Sequence, residues 1–222
     1  MTDFVNIKIA STFDELSNAL NLRENIFVKN QGLDYNAEFD GNDLSATHLL
    51  AYINQEAVGT MRIRYFKDFV KFERVCVLPK YRKTNVSELM MNEAGKFCAA
   101  KGYDTVHGVC EKELLPRWAK IGAVPIKGAP ISFQHGLSLV PIEQKLPKAS
   151  ETINLKTSPE ILNRKEGEWF DSSPIFGAFE LRTKEQIARF NKLSQKVKLI
   201  KTFKQPQNSD WHPPLKDNSK TY

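Results

Sequence analysis

The chain of 222 residues contains no apolar run approaching the roughly 18 residues needed to cross a bilayer. Its first stretch, MTDFVNIKIASTFDEL, lacks the basic region followed by an apolar core that a secretory leader requires, so the cytoplasm is the expected location. Cysteine is scarce. Cys76, Cys98 and Cys110 are an odd number without CxxC spacing, and each falls in an apolar pattern that reads as a buried reduced thiol. Histidine is scarce too, with no pair at metal-ligand spacing, so no metal is expected. Paired Cys/His ligands and RRM-type aromatic motifs are missing, and no nucleic-acid partner is expected.

Apolar and charged residues are present in ordinary globular proportion, 41% and 26%, which sets a disordered chain aside. The net charge of +6 is uneven: from Lys148 onward 14 Lys and Arg stand against 9 Asp and Glu, so the last third holds +5 of it. Three parts are expected: a domain over 1–147, a basic, partly helical extension over 148–204, and a flexible tail over 205–222. Thr183 and Gln186 form a capping box before an apolar stripe of Ile187, Phe190, Leu193 and Val197. That stripe reads as a docking face, with a membrane-surface face as its alternative.

Along the first domain the pattern is β-α-β-β-β-α-β-α-β-β. Asn6–Ala10 alternates as a strand, and Thr12 with Glu15 caps a helix that closes at Gly32. An acidic irregular loop, 34–45, carries Glu38, Asp40 and Asp43. Strands follow at Thr47–Ile53, Val58–Phe66 and Phe72–Leu78. A helix then places Val86, Leu89, Met90, Ala94, Phe97 and Cys98 on one stripe. The fold class expected is α/β: a mixed, largely antiparallel sheet flanked by helices, with a C-terminal helical extension.

The stretch FERVCVLPKYRKTNVSELMMNEAGKFCAAKG, 72–102, joins a strand to a helix through a short basic loop. Free amides and the dipole at a helix start favour an anion there. Arg23 falls beside the apolar stripe of the first helix and reads as a snorkelling surface arginine, whereas Arg62 and Arg64, on one face of the third strand, admit two readings: both at solvent, or both lining a cleft beside the acidic loop.

Taken in order, LREN-F, the acidic loop, HLLAY, VGTMRIR, FERVCVLPKYR, YDTV and WAKIGAVPIKGAPISFQHGLSLVPI resemble the GCN5-related N-acetyltransferase (GNAT) superfamily over residues 1–146. Within it they look closest to the branch of acyl-homoserine-lactone and N-acyl amino acid synthases. The resemblance implies a mixed sheet whose fourth strand, at Val75 and Val77, meets the pantetheine arm of an acyl thioester. It implies that Arg82, Lys83, Thr84, Asn85, Val86 and Ser87 wrap the pyrophosphate. Asn85 and Ser87 replace the family's glycines, a departure that favours a longer acyl donor or a carrier protein over acetyl-CoA. Glu73 sits where many members carry a general base; the alternative is a simple pair with a strand-three arginine. Arg23, Phe27, Asp40, Asp43 and Arg62 are implied on the substrate side. The acid and arginine of strand four are adjacent here, unlike the E-x-S-R of lactone synthases, which argues against lactone synthesis. Trp118 replaces a tyrosine that often protonates the leaving thiolate.

The function expected is transfer of an acyl group from acyl-CoA or acyl-phosphopantetheine to a small-molecule amine such as an amino acid, with an acidic acyl-carrier protein as a possible partner. The alternative is a catalytically inactive domain that binds an acyl thioester or carrier protein as a sensor or interaction module.

Overall fold

A computed structural model describes residues 4–134, 137–170, 185–189 and 192. The expected tail and most of the apolar stripe from Ile187 to Val197 lie outside these residues, although 185–189 are helical and exposed. The chain divides into one compact unit, Met1–Asp171, and a second, Ser172–Tyr222.

Among the described residues eight strands form one sheet: β1 (Val5–Ile9), β2 (Thr47–Ile53), β3 (Glu56–Tyr65), β4 (Val70–Val77), β5 (Thr105–Glu111), β6 (Val124–Pro125), β7 (Ser132–Gln134) and β8 (Leu137–Lys145). Their order is β1-β2-β3-β4-β5-β8-β6, with β7 also on β8. All pairings are antiparallel except β4–β5. Strand β7 is short, three residues in the stretch that follows Gly128, and pairs with β8.

Helix α1 (Phe13–Arg23) starts as expected, with Thr12 Oγ1 accepting from the Glu15 amide at 3.2 Å. The Glu15 carboxylate turns outward to the Ser11 amide and to Lys8 rather than to Thr12. Beyond Arg23 the helix widens into a π-helical segment, Glu24–Asn30, closed by Gly32 at φ +72°. The acidic loop contains a four-residue helix, α2 (Tyr35–Glu38), capped by Asp34.

Helix α3 (Val86–Ala100) covers one face of the sheet. Its Met90, Ala94, Phe97 and Cys98 pack on Leu49, Met61, Ile63 and Phe72. Burying such side chains contributes about 1.5–3 kcal/mol each. Helix α1 covers the opposite face through Ala19, Leu22 and Leu50. A short helix, α4 (Leu115–Ala119), follows β5. The segment beyond β8, which includes α5 (Pro159–Leu162), returns across α3: the Ile153 amide bonds the Ala100 carbonyl at 2.8 Å. Trp169, only 5% exposed, stacks on Phe97 at 5.5 Å between centroids.

Two irregularities in β4 create the space that follows. The strand pairs with β5 only at Val70↔Val106 and Lys71↔His107, then parts from it. Further on, Thr60↔Cys76 and Arg62↔Glu73 leave Met61 of β3 facing both Arg74 and Val75. This is a β-bulge, and Arg74 takes φ +54° to make it. The bulge turns β4 away from β5 and opens a wedge in the middle of the sheet.

Candidate active site

One cavity, of about 280 Å³, lies at the carboxyl end of β4. Its walls are Val75, Cys76 and Val77, the loop residues Arg82 and Thr84, Ser87 at the start of α3, Trp118 of α4, and Phe27 of the π-helical turn. The first helical bond of α3 runs from the Leu89 amide to the Asn85 carbonyl at 2.9 Å, so the amides of Ser87 and Glu88 precede any intrahelical acceptor. The Val86 amide is held by Thr84 Oγ1 at 3.4 Å. Arg82 reaches back to the Val77 carbonyl at 3.3 Å, and Arg117 of α4 donates to Ser87 Oγ at 2.7 Å. Arg82, Lys83 and Arg117 are exposed, whereas Lys80 is drawn aside by Glu56 at 2.8 Å. Amides, a hydroxyl and guanidinium groups converging on one helix start suit a phosphate. Asn85, with φ −86°, adopts no torsion that requires glycine, so the loop closes without the family's glycines.

A second cavity, of about 790 Å³, occupies the wedge between β4 and β5. One wall is apolar: Phe72, Met91, Val106, Cys110, Leu139 and Ile142. The other is charged, with Glu38, Asp40, Lys71, Glu73 and Arg74. The two cavities share Phe27, Gln31, Val75, Met91, Leu114 and Trp118, so they meet beside the bulge.

Behind the charged wall lies a closed ion lattice. Arg23 is fully enclosed and donates to Glu38 Oε1 at 2.6 Å and to Asp43 Oδ1. Arg62, equally enclosed, donates to Glu73 Oε1 at 2.9 Å, to Asp43 Oδ1 at 2.9 Å and to Asp40 through both terminal nitrogens, at 2.8 and 2.7 Å. Lys71 holds the other oxygen of Glu73 at 2.7 Å. Hydrogen bonds from Arg62 hold the Asp40 carboxyl well below the usual carboxylate range. Burial opposes ionisation of Asp43, but Arg23 and Arg62 outweigh it and its carboxyl also titrates low. Burial pushes the Glu38 carboxyl up despite the Arg23 hydrogen bond. Glu38 Oε2 is enclosed without an aligned hydrogen-bond donor, although Arg74 Nε stands 2.9 Å away. His48 and His107 are held toward the neutral form by burial.

Of the residues expected on the substrate side, Phe27 and Asp40 line cavity walls. Arg23, Asp43 and Arg62 line neither cavity. Arg23 holds Glu38, Arg62 holds Asp40 and Glu73, Asp43 bridges the two arginines, and neither arginine is a surface residue. Glu73 both pairs with the strand-three arginine and faces the second cavity. Val75, Val77, Arg82, Thr84 and Ser87 gather at the first cavity. Lys83, Asn85 and Val86 belong to its loop but not to its lining, and the Val86 side chain is in the core. The cysteines are buried free thiols. Burial pushes Cys76 and Cys98 up to about 12 and Cys110 upward, which leaves them protonated and inert. Sequence reasoning passes over Arg117, Lys71 and the orphan oxygen of Glu38. Helices α2 and α4 have four and five residues, too few to show which side chain faces inward.

Comparison with known proteins fits this geometry. Residues 14–116 match the profile of the Acetyltransferase (GNAT) family. Over 109 residues the chain is 31% identical to the uncharacterized protein YyaT of Bacillus subtilis (strain 168), covering 47% of this chain and 74% of that one. It is 29% identical over 114 residues to the uncharacterized N-acetyltransferase YjcF of the same organism, covering 51% and 81%. Among solved structures, Escherichia coli ElaA aligns with a TM-score of 0.58 at 22% identity, over 64% of this chain and 99% of that one. The CoA-dependent acyl-homoserine lactone synthase BjaI aligns with a TM-score of 0.54 at 17% identity, over 65% and 84%. These two share the fold. A sheet wedged open beside a bulged fourth strand, an anion-ready helix start at its end and the sequence kinship together place this chain in the GNAT family of acyl-CoA-dependent N-acyltransferases.

Proposed function

We propose that the chain moves an acyl group from an acyl thioester to the amine of a small molecule such as an amino acid, with the thioester carbonyl at the junction of the two cavities. The observation that carries this reading is the shared lining at Val75, Met91 and Trp118, where a donor arm from one side meets an acceptor from the other. The phosphates lie on the amides of Ser87 and Glu88 with Arg82 and Arg117 around them. The pantetheine arm runs along the β4 edge that β5 leaves unpaired, at Val75 and Val77. Trp118 packs against that arm. The apolar wall from Phe72 to Ile142 receives the acyl chain, which supports a donor longer than acetyl.

In the reaction the amine nitrogen bonds to the thioester carbon, the carbon–sulfur bond breaks, and the sulfur leaves as thiolate. Proximity supplies much of the rate. The amine proton passes to Glu73 directly or through a water. Arg62 and Lys71 fix that carboxylate in place. Trp118 has no acidic proton to give, and a thiolate departs without one. Arg82 and Lys83, exposed at the mouth, suit an acidic carrier protein as well as a nucleotide, and this second donor belongs to the same reading. Among the described residues no helix is long and apolar enough to cross a membrane.

The test is thiol release from acetyl-, hexanoyl- and decanoyl-CoA across a panel of amines, with wild type and Glu73→Gln in parallel. Release that depends on both the amine and Glu73 is expected. Thioester binding without release would instead favour an inactive binding module.

A further inference from the structure

We infer that Arg64 receives the carboxylate of the acceptor, so that the amine acylated is that of an α-amino acid. This inference rests on the acyl-transfer reading and narrows its acceptor. The β3–β4 ladder sets Arg62 opposite Glu73 and Arg64 opposite Lys71, and residues two apart on a strand share a face. Arg64 therefore stands on the side of the sheet where Lys71 and Glu73 line the second cavity, and its Nε lies 3.9 Å from Glu73 Oε1. The ion lattice balances without it. The carboxylates of Glu38, Asp40, Asp43 and Glu73 meet an equal number of cations, Arg23, Arg62, Lys71 and Arg74. Arg64 is the cation in excess. Its contact with Glu73 is long, and that oxygen already accepts from Arg62 Nε at 2.9 Å.

Among the described residues the Arg64 guanidinium donates no hydrogen bond. Glu111 and Glu143, on β5 and β8, form no ion pair with it there, and Glu143 lies three strand spacings away in the same row, roughly 14 Å. Yet Arg64 is not a loose surface arm. Its Cζ stands over the Phe66 ring at 5.3 Å, Phe66 stacks on Phe69 at 4.8 Å, and Phe69 meets His107 of β5 at 5.8 Å. A ring contact steadies a guanidinium without using an N–H. The side chain is 27% exposed, so its donors are within reach of a ligand. A guanidinium held in place, accessible and short of acceptors is a fork for a carboxylate. An α-amino acid carries its amine and carboxylate on one carbon, which suits an arginine and an acid standing 3.9 Å apart. With the carboxylate on Arg64, the amine meets Glu73, whose Oε2 is paired among the described residues with Lys71 alone and keeps a second lone-pair site.

Glycine, leucine and phenylalanine, each beside its carboxamide, separate the possibilities, because the amide keeps the amine and the shape and removes the negative charge. Calorimetric titration of each into the full chain with saturating coenzyme A reads binding without requiring turnover. At least one amino acid should bind about tenfold or more tighter than its amide. Arg64→Gln should remove that margin and leave the amide's affinity unchanged, and Arg64→Lys should keep part of it. Amides that match the acids in all three pairs, a margin that survives Arg64→Gln, a variant that weakens acid and amide alike, or no binding by any of these ligands would overturn the inference. Thiol release from hexanoyl-CoA in the same mixtures reads acyl transfer separately. An amino acid that binds through Arg64 without being acylated leaves the carboxylate site standing and refutes the acyltransferase reading.

Discussion

Arg62, within the β3–β4 ladder, and Arg82, in the loop that follows β4, stand in opposite circumstances. Arg62 is closed from solvent, and its nitrogens are taken by Glu73, Asp40 and Asp43. Arg82 is exposed, with one weak bond to a backbone carbonyl, beside helix amides that have no internal acceptor. The difference teaches what each charge is for. Charges that satisfy one another fix the shape of the wedge between β4 and β5. Charges and amides left unsatisfied at the start of α3 are available to a ligand.

The strongest way to break this comparison is to remove a lattice cation. Arg62→Ala takes a shared partner from buried Glu73, half-buried Asp43 and exposed Asp40, which keep Lys71, Arg23 and Arg74, and removing one partner of a buried ion network costs up to about 3–5 kcal/mol. Urea unfolding should show that loss. A change below about 1 kcal/mol would mean that the lattice does not hold the fold. The next largest effect is chemical. Glu73→Gln keeps the shape and a hydrogen bond to Arg62 but removes the proton acceptor along with one charge of the lattice, and the turnover number should fall about 100-fold or more even where the variant is fully folded. Steady-state thiol release at a temperature where the melting curve shows the variant folded separates this outcome from a purely structural role, in which the folded variant keeps its activity.

The strand, basic loop and α3 are contiguous, and helical spacing marks which residues of α3 face the core. That contiguity makes the candidate anion site readable from the sequence. The lattice was only half readable. Arg23 and Arg62 look like amphipathic surface arginines, because what buries them is an acidic loop folded back from positions 15 to 22 residues away in the chain. No residue type announces the bulge, since Arg74 rather than glycine takes the positive φ. Arg117 and Glu38 sit on helices of one turn or little more, where side-chain direction is decided by packing. The stretch 150–168 reads as polar, and Trp169, which opens an aromatic-rich stretch in the sequence, packs on the core.

A smaller effect sharpens the contrast at a separate ion pair between β1 and the start of α1. The hydrogen bond from Lys8, with help from the Ser11 amide, lowers the Glu15 carboxyl to about 2 from an unfolded value near 4.5. A lowered acid stabilises the folded state at pH values above its unfolded pKa, and that contribution disappears as the pH falls through the folded one. Glu15→Gln should therefore cost about 1 kcal/mol at pH 7, since the pair is partly exposed, and nothing near pH 2. Equilibrium unfolding of wild type and variant from pH 7 to 2 reads the difference. A gap that persists unchanged into acid would contradict the assignment.

The central claim is that the unsatisfied groups at the start of α3 hold the phosphates of the donor. Titration calorimetry of coenzyme A and of pantetheine into wild type and into the Arg82→Ala/Arg117→Ala double variant tests it most directly. The account predicts that the double variant binds coenzyme A about tenfold or more weakly, while pantetheine, which has no phosphate, binds both proteins alike. Equal affinity of the two proteins for coenzyme A would contradict it.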